Sequence, residues 1–512
     1  MTLRTVSITC WGALLLIALA QACTEAGPAD VEEEWVPAPD RPTPRVDASA
    51  TTDAGHDDAD QDASGSADAG GTMTVGDADS ADAPSRGDAR PGDAAASDGA
   101  VDGSAADAAL PSDAAAADAA AADPDPCTRG PWSCVPIAPD ASYGTRTLTV
   151  PAAQNWVNTG LFLKKGQRAT LSAQGSWSVG DDVGDAIDHG SCRIGDMVVR
   201  SGLHYKDTAL TCVNATTTFT ASRDGIVFVG ALTGNDLGET YESRRNASGQ
   251  RMVTITSDGA SVPTVQGASA AKYPFANVKS GWVEVWGEHV ILTLPVSTAS
   301  QDAATLGAAT KRLDAIYELH RTLRDAVPQQ GQRLRFFPDG TQPGYMLAGN
   351  PIRMALELVE GNGSDRISRA GEAGASNWGF AHEMGHDFTF VGGFWSYQEK
   401  TLESWPNLFS LHAFEALGLA QHEQAAKCSS SSTGSYGSAA WDAWNGLCFL
   451  LQPKLTHGWN FYKTFFRGIN ADKTMPWKGD WDKTCWFFNH DRFEAAAGGA
   501  DMTALFTKWG VP

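Results

Sequence analysis

The sequence predicts a multidomain chain: an all-β sandwich, then a mixed α/β, helix-dominated domain, both behind a long disordered N-terminal linker. Three observations carry this. Between Thr24 and Pro126 the 512-residue chain is built mainly from Ala, Asp, Gly and Ser, with almost no large apolar side chains. From about 144 to 257, apolar and polar residues alternate and turn residues recur at short intervals, as half-buried strands require. Beyond about 275 the apolar spacing becomes helical, and ten of the 17 Trp lie from Trp378 onward.

The linker also holds the charge. Of a formal net charge of −23, residues 24–126 contribute 25 acidic against four basic side chains, so the remainder is close to neutral. Such a segment cannot bury enough apolar surface to offset its ordering entropy, and like charges keep it extended. With no basic domain to neutralise phosphates, nucleic acid is not an expected partner. After residue 22 no apolar run approaches the ~20 residues that span a bilayer.

Ahead of the linker, Arg4 precedes an apolar stretch from Ile8 to Ala20 and then Ala20-Gln21-Ala22-Cys23, an export signal over residues 1–22. Ala20-x-Ala22 suits ordinary signal peptidase and release, whereas small residues directly before Cys23 suit lipidation of that Cys. The long tether behind Cys23 favours an outer-membrane or cell-surface lipoprotein over a secreted protein, with the lipid at Cys23 as the membrane contact. The expected boundaries are 23–126 for the tether, 127–262 for the sandwich and 263–512 for the second domain.

In the sandwich, Ala169, Leu171, Ala173 and Trp177 alternate with Thr170, Ser172 and Gln174. Ile226-Val227-Phe228-Val229 and Val253-Thr254-Ile255 read as later strands. An exported chain permits disulfides Cys127–Cys134 and Cys192–Cys212, leaving Cys428, Cys448 and Cys485 to form one bridge and one thiol. Gly166-Gln167 before a strand ending in Gly175-x-Trp177, then Asn235-Asp236-x-x-x-Thr240-Tyr241 and Asn246-x-x-Gly249, resemble the galactophilic calcium-lectin type of galactose-binding-like sandwich. The resemblance implies that Asp236, Thr240 and Asn246 hold a Ca2+ ion that chelates sugar hydroxyls, making carbohydrate a partner. Extra residues, Glu242 to Arg245, depart from that pattern.

The second domain carries the chemistry. Val290-Ile291-Leu292-Thr293-Leu294 reads as a strand; 301–326, 378–390 and 405–426 read as helices. Within the second of these, His382-Glu383-Met384-Gly385-His386 places two imidazoles one turn apart on one helix face, within reach of a single metal ion. Glu383 adjoins the first of them and reaches a water at the metal. A catalytic zinc takes three protein ligands and keeps a fourth position for water. Thr389 and Gly392 stand where a third His would require Gly and His, so the remaining ligand is a carboxylate: Glu399, Glu403 or Glu415. Glu403 is favoured because it opens Glu403-Ser404-Trp405-Pro406-Asn407-Leu408-Phe409-Ser410, with Pro406 acceptable if the helix begins just before it.

These residues resemble the enhancin-like, mucin-degrading zinc metallopeptidases, which share His-Glu-x-x-His and a later Glu-x-x-x-Asn-Leu/Ile-Phe-Ser. Gly344-Tyr345-Met346-Leu347-Ala348-Gly349-Asn350-Pro351-Ile352, Gly458-Trp459-Asn460-x-Tyr462-Lys463 and Phe506-x-x-Trp509-Gly510-Val511-Pro512 extend the similarity over roughly 272–512. Pro406 departs from the family. The resemblance implies a zincin-type peptidase of the gluzincin class: Zn2+ on His382, His386 and Glu403, Glu383 as general base, and mucin-like glycoproteins as substrate. Tyr436, His457, Tyr462 and His490 are candidates for stabilising an oxyanion. The alternative is a surface adhesin whose peptidase-like domain binds glycoprotein without cutting; a retained Glu383 argues against it.

Overall fold

The computed structural model describes residues 141–179, 192–205, 209–233, 247–341, 344–361, 363, 365–389, 401–436, 438, 441–471 and 490–511. The signal, the tether, Cys127, Cys134, Cys485, Glu399, Asp236, Thr240 and Asn246 lie outside them.

The first folded part is an antiparallel sheet of β1 (Ser142–Pro151), β2 (Val157–Leu163), β3 (Arg168–Ser178), β4 (Met197–Ser201), β5 (Thr211–Cys212), β6 (Thr217–Thr220), β7 (Gly225–Ala231) and β8 (Ser248–Ser261). The order is β5-β4-β7-β2-β8-β3-β6, with β1 also on β8. Instead of two separate stacked sheets, hydrogen bonds join all eight strands into one sheet, seven along this path and β1 beside it on β8. The long β8 makes this possible: it pairs with β1 and β3 along most of its length and with β2 only at Ala260 and Ser261. Alternate residues of these strands, among them Leu148, Leu161, Leu171, Val199, Val227 and Ile255, meet in one core. The Cys192–Cys212 disulfide bridges the edge.

Strand β7 is buried along its whole length, and its alternation explains why. Val227 and Val229 point into that core, while Ile226 and Phe228 enter a second cluster with Trp156, Val198 and Phe337. Phe337 belongs to the next domain, so the outer face of the β-domain is covered by protein.

That next domain is built on a six-stranded sheet of β9 (Thr264–Gln266), β10 (Trp282–Trp286), β11 (Val290–Pro295), β12 (Leu334–Pro338), β13 (Met346–Leu347) and β14 (Ile352–Met354), in the order β13-β14-β12-β11-β10-β9. Its strands also point both ways. Leu334 and Phe336 of β12 join the helical core, whereas Phe337 joins the cluster shared with the β-domain. The molecule is therefore layered: β-domain, sheet, helices.

The principal helices are α1 (Leu306–Arg324), α2 (Trp378–Thr389), α3 (Ser404–Ala416), α4 (Ala443–His457), α5 (Asn460–Ala471) and α6 (Thr503–Trp509). Leu306, Leu313, Ile316 and Leu323 of α1 are buried at the predicted spacing. The helix expected over 405–426 ends at Ala416. Gly418 turns left-handed at φ 63°, and the Leu419 N–H returns to the Phe414 carbonyl, a capping arrangement that stops the helix. Cys428 and Cys448 form the bridge that joins the following loop to α4.

Helix α1 braces α2 through His320, which has no exposed surface and lies 2.8 Å from the Ala381 carbonyl, donating to it through Nε2. Burial lowers its pKa from 6.5 to about 3, so the fold holds it neutral. Burial also takes His412 down to about 4. Between these values and 6.5 the unfolded chain binds protons at these two positions that the native chain does not, so their contribution to stability falls as pH drops below about 6.5. Each His contributes up to about 1.4 kcal/mol per pH unit. The change in urea midpoint between pH 7.5 and pH 5 should therefore differ between wild type and His320→Asn, the variant lacking the part of the acid destabilisation that His320 supplies. An identical change in both proteins contradicts this.

Candidate metal centre

Helix α2 presents His382 and His386 side by side, with ring centroids 4.8 Å apart and an interplanar angle of 84°. The residue that caps α3 is Glu403. Its Oε2 lies 2.9 Å from His382 Nε2 and 3.4 Å from His386 Nε2. One donor atom from each of the three residues fits within 4.8 Å of the others. Two residues explain how α2 and α3 come close enough. A Cβ at Gly385 would lie 2.9 Å from Pro406 Cα, so only glycine allows this approach. Pro406 stands in the first turn of α3, where its missing N–H costs no helical bond.

A fourth residue orients the first ligand. Asn407 Oδ1 accepts from Trp378 Nε1 at 3.0 Å and lies 2.8 Å from His382 Nδ1. An indole nitrogen can only donate, so the atom facing it is the amide oxygen, and Nδ1 of His382 must carry the hydrogen. That leaves the Nε2 lone pair for the centre. Asn407 Nδ2 in turn donates to the Glu403 carbonyl at 2.8 Å, tying one ligand's backbone to the other ligand's tautomer. Sequence reasoning assigned Asn407 no role; its position four residues after Glu403, one helical turn on, was the available signal. An Asn407→Ala variant should bind zinc roughly 10–100-fold more weakly while remaining folded, as measured by competition with a chromophoric chelator. Unchanged zinc affinity would count against the assignment.

The electrostatics suit a cation. Burial alone would lower the His382 pKa, but the bond to Glu403 outweighs it and raises it to about 9. Burial pushes Glu403 up, yet the His386 and His382 charges hold it well below the usual carboxylate range. Glu383 is raised, first by burial, against the pull of both imidazoles and the Ala348 backbone N–H. Asp387, with no exposed surface, is raised well above its ordinary value by burial and by Glu383. Two imidazole nitrogens and one carboxylate oxygen, with a base beside them, match the donor set of a zinc site that keeps a coordination position open.

Glu415, another sequence candidate, pairs with Lys454 at 2.7 Å and accepts from Trp459 Nε1 at 2.8 Å. Tyr462 donates to the Leu450 carbonyl, and His490 Nε2 lies 3.2 Å from Thr503 Oγ1, so both are engaged away from the centre. The Tyr436 and His457 rings pack against Trp441 and Phe461. A second grouping of potential donors is His490, Glu494 and Asp501. Glu494 accepts from the Met502 N–H and Asp501 from the Thr503 N–H, which makes this group the scaffold of the turn into α6.

Residues 273–510 match the family model of peptidase M60, enhancin and enhancin-like. The mouse TRPM8 channel-associated factor 3 is 22% identical over 399 residues, covering 73% of this chain and 40% of that protein, so the chain spans less than half the length of this relative. Among solved structures, a conserved protein of unknown function from Bacillus anthracis str. Ames is 14% identical with a TM-score of 0.49, over 72% of this chain and 76% of that one. The IMPa metallopeptidase from Pseudomonas aeruginosa is 13% identical with a TM-score of 0.47, over 73% and 50% of the two chains.

Proposed function

Residues 273–510 belong to the enhancin and enhancin-like M60 peptidases, and from that premise we propose that the protein is an exported zinc-dependent endopeptidase that hydrolyses peptide bonds of glycoproteins. The observation that carries the reading is the convergence of His382, His386 and Glu403 within 4.8 Å, with Glu383 one residue from the first ligand. These three residues would hold the ion. A zinc bound there supplies Lewis acidity, polarising a carbonyl and bringing a water's pKa towards ~7.

The chain's own residues supply the rest. Glu383 takes a proton from the attacking water as its oxygen bonds to the scissile carbon. It returns that proton to the nitrogen as the C–N bond breaks. The partly buried setting that raises its pKa suits both roles. Asn407 fixes the imidazole that must face the ion. Mucin-like O-glycoproteins as substrate are supported by the resemblance of the catalytic motifs to mucin-degrading members. Export, with an anchor at Cys23, is supported by residues 1–23.

Digestion of an O-glycosylated mucin and its deglycosylated form, with and without a zinc chelator, tests the reading. Chelator-sensitive cleavage that favours the glycosylated form is the expected result. Cleavage that persists without metal would overturn the zinc mechanism, and a zinc-loaded protein that cuts neither form would overturn the peptidase assignment.

A further inference from the structure

We infer that Asn155, a residue of the β-domain, is a positioning residue for the peptidase site: it pins the 344–350 segment that backs Glu383. The inference rests on the peptidase reading for its catalytic consequence, but the contacts themselves are structural. Asn155 lies between β1 and β2 and is 2% exposed. Its Nδ2 donates to the Asn350 carbonyl at 3.2 Å and to Gln329 Oε1 at 3.1 Å; its backbone N–H donates to Gln332 Oε1 at 2.9 Å. The stretch carrying Asn155 reaches this position because Gly230 of β7 has no side chain. A Cβ there would lie 2.5 Å from the Asn155 carbonyl oxygen.

On the peptidase side, Asn350 is held at both ends of its amide: Oδ1 accepts from the Arg335 N–H at 3.0 Å, and Nδ2 donates to the Arg333 carbonyl at 3.1 Å. Its main-chain carbonyl is left to Asn155. Two residues before it comes Ala348, whose backbone N–H acts on the Glu383 carboxyl. The same segment packs on α2, where a Cβ at Gly379 would lie 3.3 Å from Met346 Sδ. Gln329 and Gln330 adopt left-handed φ values of 49° and 57°, costly for residues with a Cβ, and Gln329 is one of the side chains that meets Asn155. The β-domain thus reaches the general base through one amide, one carbonyl and two residues of main chain.

A residue that only glues two domains together and one that sets active-site geometry differ in what their loss does. In the full-length protein, Asn155→Ala is compared with His204→Ala, which removes a second cross-domain contact, His204 Nδ1 to Asp339 Oδ1 at 2.9 Å. Amide hydrogen exchange over 344–350 is read on metal-free and zinc-loaded protein, with initial rates of mucin cleavage beside it. In Asn155→Ala, exchange over 344–350 should rise about tenfold and kcat fall about tenfold, with KM and zinc content unchanged; in His204→Ala both should stay within about twofold. Unchanged exchange in Asn155→Ala, or an equal rise in both variants, overturns the inference. Should Asn155→Ala fail to fold, Asn155→Asp, which keeps the shape and lacks the donor, takes its place. A wild-type protein that cleaves nothing would defeat the peptidase reading alone, since the exchange comparison still decides the role of Asn155.

Discussion

Replacing Glu383 by Gln should reduce glycoprotein cleavage on the order of 10³-fold while leaving zinc binding intact. The substitution preserves shape and removes only the capacity to accept and return a proton. It spares the three groups that converge within 4.8 Å, because Glu383 is not among them. The contrast with His386→Ala sharpens the test: that variant should lose metal and activity together. Residual activity in Glu383→Gln within tenfold of wild type, at equal zinc content, would require another base. Asp387 is the carboxyl nearest in sequence, and with no exposed surface it cannot reach an attacking water.

The second large effect concerns the β-domain. Residues 264–512 produced alone should not yield a cooperatively folded, soluble protein. The sheet that carries the site has helices on one side only; the other side is covered by the β-domain. Removing that cover exposes Phe337 and strips partners from polar groups buried at the boundary. Asp339, with no exposed surface, would lose His204 Nδ1 at 2.9 Å and the Tyr205 N–H at 2.6 Å. Arg353 would lose the Leu203 carbonyl at 2.8 Å, and Arg335 would lose its position over the Phe228 ring, 5.1 Å from its centroid. Exposing a large buried apolar side chain costs about 1.5–3 kcal/mol, and each hydrogen bond lost costs about 0.5–1.5 kcal/mol. Against a net stability of about 5–15 kcal/mol, several such losses decide the outcome. Thermal unfolding and dye binding would report it: no cooperative transition and exposed apolar surface for 264–512, against a sharp transition for the full-length protein. A monomeric 264–512 that unfolds cooperatively and cleaves mucin would show the β-domain to be a separable module.

The metal-site motif and the domain boundary differ in how much of each was legible in the sequence. His382, Glu383 and His386 could be read directly because helical spacing alone puts i and i+4 on one face. Gly385 and Pro406 stand apart in the sequence, and the structure shows them to be the two sides of one contact. Cys192 and Cys212 pair across a strand edge as their spacing allowed. The end of α3 was missed because a left-handed glycine cap competes with an apolar pattern that continues past it.

By itself the sequence determined the periodicities, the placing of His382 and His386 on one helix face and the acidity of residues 24–126, because these depend on neighbours within one or two turns of chain. Only the tertiary structure decided that Asn407 orients His382, that the outer face of the β-domain is buried, and that Asn155 reaches the segment behind Glu383. Asn155 and Asn350 are 195 residues apart in the chain. No local pattern encodes such a contact; it exists because two faces, each read as the outside of its own element, are covered by each other.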